Sequence, residues 1–135
     1  MLHLLKLAVG IEDVEHLRRV RAGRVAERGG HWVFTRNHPR QAQEVLAGGS
    51  IYWVIRGQIR VRQRVTGFRR ERDDNGRQYC LIEVDARLVP TLSRSWRPFQ
   101  GWRYLSPEDA PADCSDRGEP LPDRMLAELR ALGLI

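Results

Sequence analysis

The sequence predicts a single α+β domain, and three features of its residue pattern support this fold class. The 135 residues are enough for one hydrophobic core without disulfides, and too few for two comfortable cores. In the first half, short apolar runs alternate with helical patterns that end at glycine pairs. In the middle, a long alternating run is followed by a turn signal and a second apolar run, which predicts a hairpin.

The first half of the chain follows this order closely. Residues 2–9 are apolar, end at Gly10 and predict a buried strand. Residues 11–28 have apolar side chains at helical spacing, acidic residues in the first turn and arginines in the later turns, as the helix dipole favours. Residues 31–35 predict a second strand. A short helix is then expected from Pro39 to Leu46, before Gly48 and Gly49.

The middle of the chain predicts three further strands, over residues 50–55, 59–68 and 78–84, with a turn at residues 73–76 joining the last two. Because strand side chains alternate between two faces, Ile59, Val61 and Val65 are expected to be buried. Gln63 interrupts this apolar side, which predicts a buried amide with a specific partner.

The C-terminal part divides into two segments of different composition. Residues 106–121 are rich in proline and acidic residues and predict a weakly packed linker, whereas residues 122–135 return to helical spacing. The expected organisation is therefore a domain over residues 1–105, an acidic linker over 106–121 and a C-terminal helix over 122–135. No run reaches the roughly 20 apolar residues of a membrane span, and no signal peptide is recognised, so a cytoplasmic protein without a membrane partner is expected.

The charge of the chain is strongly basic and unevenly distributed. Of the 23 basic residues only Lys6 is a lysine, and the positive charge is concentrated in residues 1–72. Arginine makes bidentate contacts to phosphates and bases, so the bias favours nucleic-acid recognition. A GC-rich genome also enriches arginine codons without any functional meaning. Both explanations stay open from the sequence.

Arginines alternate with apolar residues in the predicted strand 59–68. Arg60, Arg62 and Arg64 share one face there, where they would meet either a polyanion or solvent and cross-strand carboxylates such as Glu83 or Asp85. The predicted nucleic-acid-binding residues are Arg36, Arg56, Arg60, Arg62, Arg64 and Trp96.

Two further segments support or compete with this hypothesis. Aromatic residues and arginines are interleaved over residues 96–104, where the rings either stack on unpaired bases or fill the core; Trp96 is the surface candidate. The turn at residues 35–37 joins a strand to a helix start, where backbone N–H groups either hold an anion or simply cap the helix.

Catalytic motifs are not found in the sequence. There is no dinucleotide-binding or phosphate-binding glycine loop, no nucleophile elbow and no HExxH motif, and the four histidines share no metal-ligand spacing. No catalytic residue, metal or cofactor is therefore predicted.

Three motifs in the chain are distinctive: GGSIYWVIRG at residues 48–57, RQR at 62–64, and FQGWRYL at 99–105 followed by PEDAP at 107–111. They resemble a bacterial family catalogued as domain of unknown function 1489, which is known from alphaproteobacteria. The resemblance runs from residue 1 to about residue 111 and implies no activity.

A weaker resemblance over residues 32–105 is to PUA-like domains, and among them to ASCH domains. It depends on VLAG at residues 45–48, RVTGF at 64–68, DDNG at 73–76 and YCLIEV at 79–84. It implies a mixed, partly closed β-barrel with flanking helices that binds RNA. Some ASCH relatives hydrolyse acylated cytidines with a lysine just after the glycine turn, where Gly49 and Ser50 stand here. This difference argues against the same catalysis. A base-sized pocket near Thr35, Asn37, Ser50 and Trp53 is still expected.

The function expected from the sequence is binding of RNA or a nucleotide through the arginine-lined sheet face and this pocket. Two alternatives stay open. One is a small hydrolase acting on a modified nucleoside, which would need a closed pocket with a polar group of perturbed pKa. The other is a protein-interaction module that uses the C-terminal helix or an exposed sheet edge.

Overall fold

The main structural element of the computed structural model is a mixed sheet of seven strands. The structure describes residues 1–115, apart from the side chains of Glu27 and Arg28, and residues 131–132. In chain order the elements are β1 (His3–Leu7), α1 (Val14–Arg28), β2 (Trp32–Thr35), α2 (Ala42–Leu46), β3 (Ser50–Ile55), β4 (Gln58–Arg72), β5 (Gln78–Val84), β6 (Val89–Ser95) and β7 (Trp102–Leu105). The predicted strands and helices of residues 2–84 are all present, whereas β6 and β7 had no counterpart in the sequence prediction.

The strand order is β2-β5-β4-β3-β1-β7, with β6 paired to β4 beside β5. β1 and β3 are parallel, and the other pairs are antiparallel, which confirms an α+β domain with a mixed sheet. A barrel needs its two edge strands to pair. In the described residues the order instead ends at β2 and β7, so the expected closure into a barrel is not observed.

The two ends of helix α1 are set by its capping residues, Asp13 and Gly29. The Asp13 carboxylate accepts a hydrogen bond from the His16 N–H at 2.7 Å, and Gly29 ends the helix in the left-handed conformation at φ 69°. The Arg21 guanidinium donates to the Trp32 carbonyl at 2.9 Å and ties the helix to β2. Neither α1 nor α2 is long and apolar enough to span a membrane, and the search covered only the described residues.

The side-chain alternation of β4 changes face at a β-bulge. The pairing register shifts between Trp53 and Val54 on β3, and between Ile59 and Val61 on the β6 side of β4. A bulge inserts one residue and reverses which face the following side chains occupy. Ile59, Val61 and Val65 are all buried, as predicted, but Ile59 packs on the opposite face of the sheet from the other two.

Both faces of the sheet are therefore covered by apolar clusters. The larger cluster lies on the helix side of the sheet. Its buried members are Leu4, Ala8, Leu17, Val33, Val45, Ile51, Trp53, Ile55, Val61, Val65, Cys80, Ile82, Val84 and Leu88. The smaller cluster consists of Leu5, Tyr52, Val54, Ile59 and Leu105, with Trp96 and Phe99 packed against it.

The described part of the predicted acidic linker is attached to the sheet. The Leu92 N–H donates to the Ala112 carbonyl at 2.8 Å, and the Cys114 N–H donates to the Pro90 carbonyl at 2.9 Å. Cys114 itself is buried. The expected weak packing thus does not hold at residues 112–114, whereas residues 107–109 are exposed. Residues 116–121 and most of the predicted helix 122–135 lie outside the described residues, and the boundaries at 105 and 121 stay predictions.

Candidate functional site

The predicted row of three exposed arginines on β4 is interrupted at its middle member. Arg60 and Arg64 are exposed, but Arg62 is only 8% exposed. Its guanidinium makes two hydrogen bonds of 2.8 Å to the Asp113 carboxylate and one of 3.0 Å to Ser50 Oγ. The prediction that Arg62 is exposed is wrong, because residues 106–115 cover this face of the strand.

Arg62 belongs to a buried polar cluster with Ser50, Asp113, His3 and Tyr52. The Ser50 N–H donates to His3 Nδ1 at 3.0 Å, and the His3 and Tyr52 rings meet edge to face at 5.0 Å. Burial, followed by the positive charge of Arg62, lowers the pKa of His3 to about 4. Burial raises the pKa of Tyr52 to about 12. These groups bond to one another, so we interpret the cluster as structural.

The predicted pocket residues are not brought together. Ser50 and Trp53 point to opposite faces of β3, because Ser50 contacts Arg62 while Trp53 belongs to the larger apolar cluster. Trp53 Nε1 donates to Gln63 Oε1 at 3.0 Å, and the fully buried Gln63 amide donates to the Asp85 carbonyl at 2.9 Å. The predicted buried amide with a specific partner is thus confirmed. The residues predicted to line a pocket do not share one face of the sheet, so the structure does not form that pocket from them.

The remaining predicted residues lie at two separate places. Thr35 is buried on β2, opposite Cys80 of β5, and the Asn37 carbonyl accepts hydrogen bonds from Thr35 Oγ1 at 3.3 Å and from Trp102 Nε1 at 2.8 Å. Trp96 is half-buried and lines a small pocket of about 190 Å³ together with Arg56, which is exposed in the turn between β3 and β4.

A face of the sheet that the sequence prediction did not single out carries aromatic rings that are exposed or half-buried. We call it the aromatic platform, and it consists of Trp32, Phe34, Tyr79, Leu81 and Arg69. The pairing register sets Phe34 opposite Leu81 and Leu81 opposite Arg69, so these side chains share one face of β2, β5 and β4. Phe34 is 40% exposed and its ring lies 4.9 Å from that of Tyr79, between centres. The platform lines an open depression of about 550 Å³.

Cations lie against the rings of the platform. The Arg69 guanidinium is 5.3 Å from the Trp32 ring centre, and the Arg36 guanidinium is 5.4 Å from that of Phe34. Each of them also has a nearby carboxylate, Glu71 at 3.4 Å from Arg69 and Asp73 at 3.5 Å from Arg36. The platform is therefore an aromatic surface with partly compensated charge.

A second depression, which we call the basic groove, adjoins the platform at Tyr79. Its volume is about 240 Å³, and it is lined by Arg36, Arg40, Arg70, His38, Gln78 and Tyr79. No carboxylate is among the residues that line it in the described part of the chain. Arg36 is paired with Asp73 outside the groove, whereas no ion pair is described for Arg40 or Arg70, so the groove has an excess of positive charge that favours an anion.

The sequence does contain a signal for the aromatic platform, because side chains alternate between two faces along the strand segments WVFT and QYCLI. This alternation sets Trp32 and Phe34 on one side of β2, and Tyr79 and Leu81 on one side of β5. The sequence does not show which side faces solvent, because that depends on which face of the sheet the helices cover.

One family model matches nearly the whole chain. A family model described as a protein of unknown function (DUF1489) matches residues 4–135. The chain belongs to this family. No curated protein and no solved structure matches it.

Since the DUF1489 description assigns no activity, function has to be argued from the site itself. In this DUF1489 chain, Arg36 is the one predicted nucleic-acid-binding residue that lines the basic groove. The structure leaves Arg56, Arg60 and Arg64 exposed elsewhere. Within residues 1–115 and 131–132, no group of three or more His, Cys, Asp or Glu side chains could hold a metal ion.

Proposed function

We propose that this protein binds single-stranded nucleic acid, with bases on the aromatic platform and phosphates in the basic groove. The observation that carries the proposal is the ring pair of the exposed Phe34 and the half-buried Tyr79, beside the guanidinium groups of Arg36, Arg40 and Arg70. Water-exposed rings on a sheet are a stacking surface for unpaired bases, and adjacent arginines neutralise the backbone.

The dimensions of the platform fit a strand better than a duplex. Trp32 and Phe34 are two residues apart on β2, so their side chains stand about 6–7 Å apart along the strand. Flat rings at this spacing offer separate faces to unpaired bases, whereas the bases of a duplex are stacked on one another. The mixed charge of the platform is consistent with stacking as its main contribution, and the groove supplies the electrostatic part.

The test is binding of a fluorescently labelled octauridine RNA, measured by anisotropy over a series of salt concentrations, with octathymidine DNA as a second arm. Because stacking contributes about 1–3 kcal/mol per base, Phe34→Ala and Tyr79→Ala should each weaken binding about tenfold or more. Arg40→Gln and Arg70→Gln should each lower the slope of log affinity against log salt by roughly 0.7.

Matched controls come from the arginines that lie away from this surface. Arg60→Gln and Arg64→Gln remove the same charge from exposed positions in the first half of β4, and should leave both affinity and slope nearly unchanged. Circular dichroism checks that each variant is folded. Wild-type protein that binds neither strand at low salt would overturn the proposal, as would a Phe34→Ala, Tyr79→Ala double variant that binds like wild type.

Neither alternative function has a comparable observation in its favour. The buried cluster around His3 and Arg62 has perturbed pKa values, but its groups are engaged with one another. An interaction module would use the outer edge of β2 or β7, at the two ends of the strand order. If the protein binds neither RNA nor DNA strands, an interaction through these strand edges becomes the favoured function.

A further inference from the structure

A cleft separate from the basic groove lies between α1, the end of β1 and β2. Its volume is about 450 Å³, and its charged or titratable lining residues are Lys6, His16, Arg21 and Arg24. No carboxylate lines it in the described part of the chain. The rest of its lining is mostly apolar and includes Leu17, Val20, Val33 and Trp53.

Lys6 is the residue that makes this cleft unusual. It is the single lysine of the chain, and it lies on β1 between Trp53 of β3 and Trp102 of β7 in the pairing register. Burial, followed by the positive charge of Arg24, lowers its pKa. No ion pair between a carboxylate and Lys6 or Arg24 is present among the side chains that the structure describes, which do not include that of Glu27.

Lys6 and Arg24 share a partly dry cleft without a described counter-ion, so their charges repel one another, and a bound anion removes that repulsion. Arg21 is already oriented by the Trp32 carbonyl, which leaves Lys6 and Arg24 as the groups to contact a ligand. His16 adds a donor, because its Nδ1 accepts the Glu12 N–H at 3.0 Å and the ring proton of the neutral form is therefore on Nε2. A dianion offsets this charge better than a carboxylate does.

The apolar wall requires the ligand to be more than an inorganic ion. Leu17 is almost fully buried, but Ile11 and Val20, which also line the cleft, are only partly covered. An apolar or planar group would cover them and gain about 25 cal/mol per Å² of apolar surface removed from water. The cleft thus combines a site for a doubly charged head with a site for a ring.

We propose that this cleft binds a phosphate monoester that carries a planar group, with Lys6 and Arg24 on the phosphate. Two sources share this chemistry, a free mononucleotide and the phosphorylated end of a strand. Phe34 contributes to the lining of both the cleft and the platform depression, so a strand on the platform ends near this site. Only the strand source depends on the proposed function.

The experiment uses the fact that the chain has one lysine. Protein labelled with ¹³Cε-lysine gives a single lysine resonance, whose titration measures the pKa of Lys6 directly. Addition of uridine 5′-monophosphate should shift this resonance and raise the pKa of Lys6, because a dianion favours the charged ammonium. Inorganic phosphate should act in the same direction with lower affinity, and uridine should have no effect.

Variants show whether the shift reports binding in the cleft. Arg24→Gln should weaken uridine 5′-monophosphate binding roughly tenfold or more, since a hydrogen bond to a charged group is lost. Lys6→Gln should do the same when binding is measured by calorimetry. Arg19→Gln is the matched control, because Arg19 is exposed on the same helix and does not line the cleft, and it should bind like wild type.

The two sources are distinguished by comparing octauridine with and without a 5′-phosphate. A preference for the phosphorylated strand that disappears in Arg24→Gln assigns the strand end, and mononucleotide binding without such a preference assigns the free nucleotide. Tyr79→Ala separates the two proposals, because it should weaken strand binding and leave the response of Lys6 to inorganic phosphate intact. The cleft proposal is overturned if neither phosphate compound moves the Lys6 resonance, or if Arg24→Gln binds like wild type.

Discussion

Replacing Arg62 by glutamine should destabilise the protein far more than the same change at Arg60 or Arg64. The Arg62 and Asp113 side chains are each only 9% exposed and are joined by two hydrogen bonds of 2.8 Å. Removal of one partner leaves the other charge buried without compensation, at a cost of about 3–5 kcal/mol. For a domain of this size that is roughly 10–20 °C in Tm. Exposed arginines contribute only ~0–1 kcal/mol each.

Urea denaturation followed by circular dichroism measures these differences, and hydrogen exchange locates them. Asp113→Asn should destabilise the protein to a similar extent and speed exchange of the Cys114 amide, which bonds to the Pro90 carbonyl. The double variant Arg62→Met, Asp113→Leu should recover much of the lost stability, because it leaves no buried charge unpaired. The reasoning is refuted if Arg62→Gln changes the free energy of unfolding as little as Arg60→Gln does.

Two further predictions concern acid stability and a close backbone contact. The pKa of His3 is about 4 in the fold and 6.5 when unfolded, so the unfolded chain binds more protons between these values. Stability should therefore fall as pH drops from 6.5 to 4, by about 3 kcal/mol, and His3→Asn should flatten this part of the urea-denaturation profile. An added Cβ at Gly49 would collide with the carbonyl oxygens of Leu2 and Val45, so Gly49→Ala should destabilise by about 1–3 kcal/mol. Gly23→Ala, in a helix with nothing within 4 Å, should instead stabilise by roughly 0.5–1 kcal/mol in thermal unfolding.

The hairpin of β4 and β5 could be predicted from sequence because its determinants are local. Asp73 Oδ1 accepts the Asn75 and Arg77 N–H groups at 3.0 and 2.9 Å, and Gly76 takes the positive φ of 75° that the turn requires. These hydrogen bonds involve residues four positions apart at most. The residues of the turn therefore determine most of its conformation, which is why the sequence predicts it.

The burial of Arg62 could not be predicted, because it is decided by a residue far away in the chain, Asp113, which pairs with Arg62 across 51 positions. The bulge beside Ile59, which places Ile59 on the opposite face from Val61, has no sequence signal either. Strand β6 was missed for a related reason, since Pro90 and its polar residues do not form a strand pattern. It is held by pairing to β4 and by the segment that carries Asp113.

The structure separates the arginines, which the sequence treats as one group, by what surrounds each guanidinium. Arg62 pairs with a carboxylate and Arg21 with a carbonyl in the interior, where folding alone accounts for them. Arg60 and Arg64 are exposed, and codon bias is a sufficient explanation for both. The remaining group differs, because Arg40 and Arg70 line a groove that no described carboxylate lines. Self-repulsion in such a groove is an energetic penalty that codon bias does not explain, whereas a bound polyanion would convert it into attraction. The argument for nucleic-acid binding is therefore the charge of this groove beside the aromatic platform, and not the arginine content of the chain.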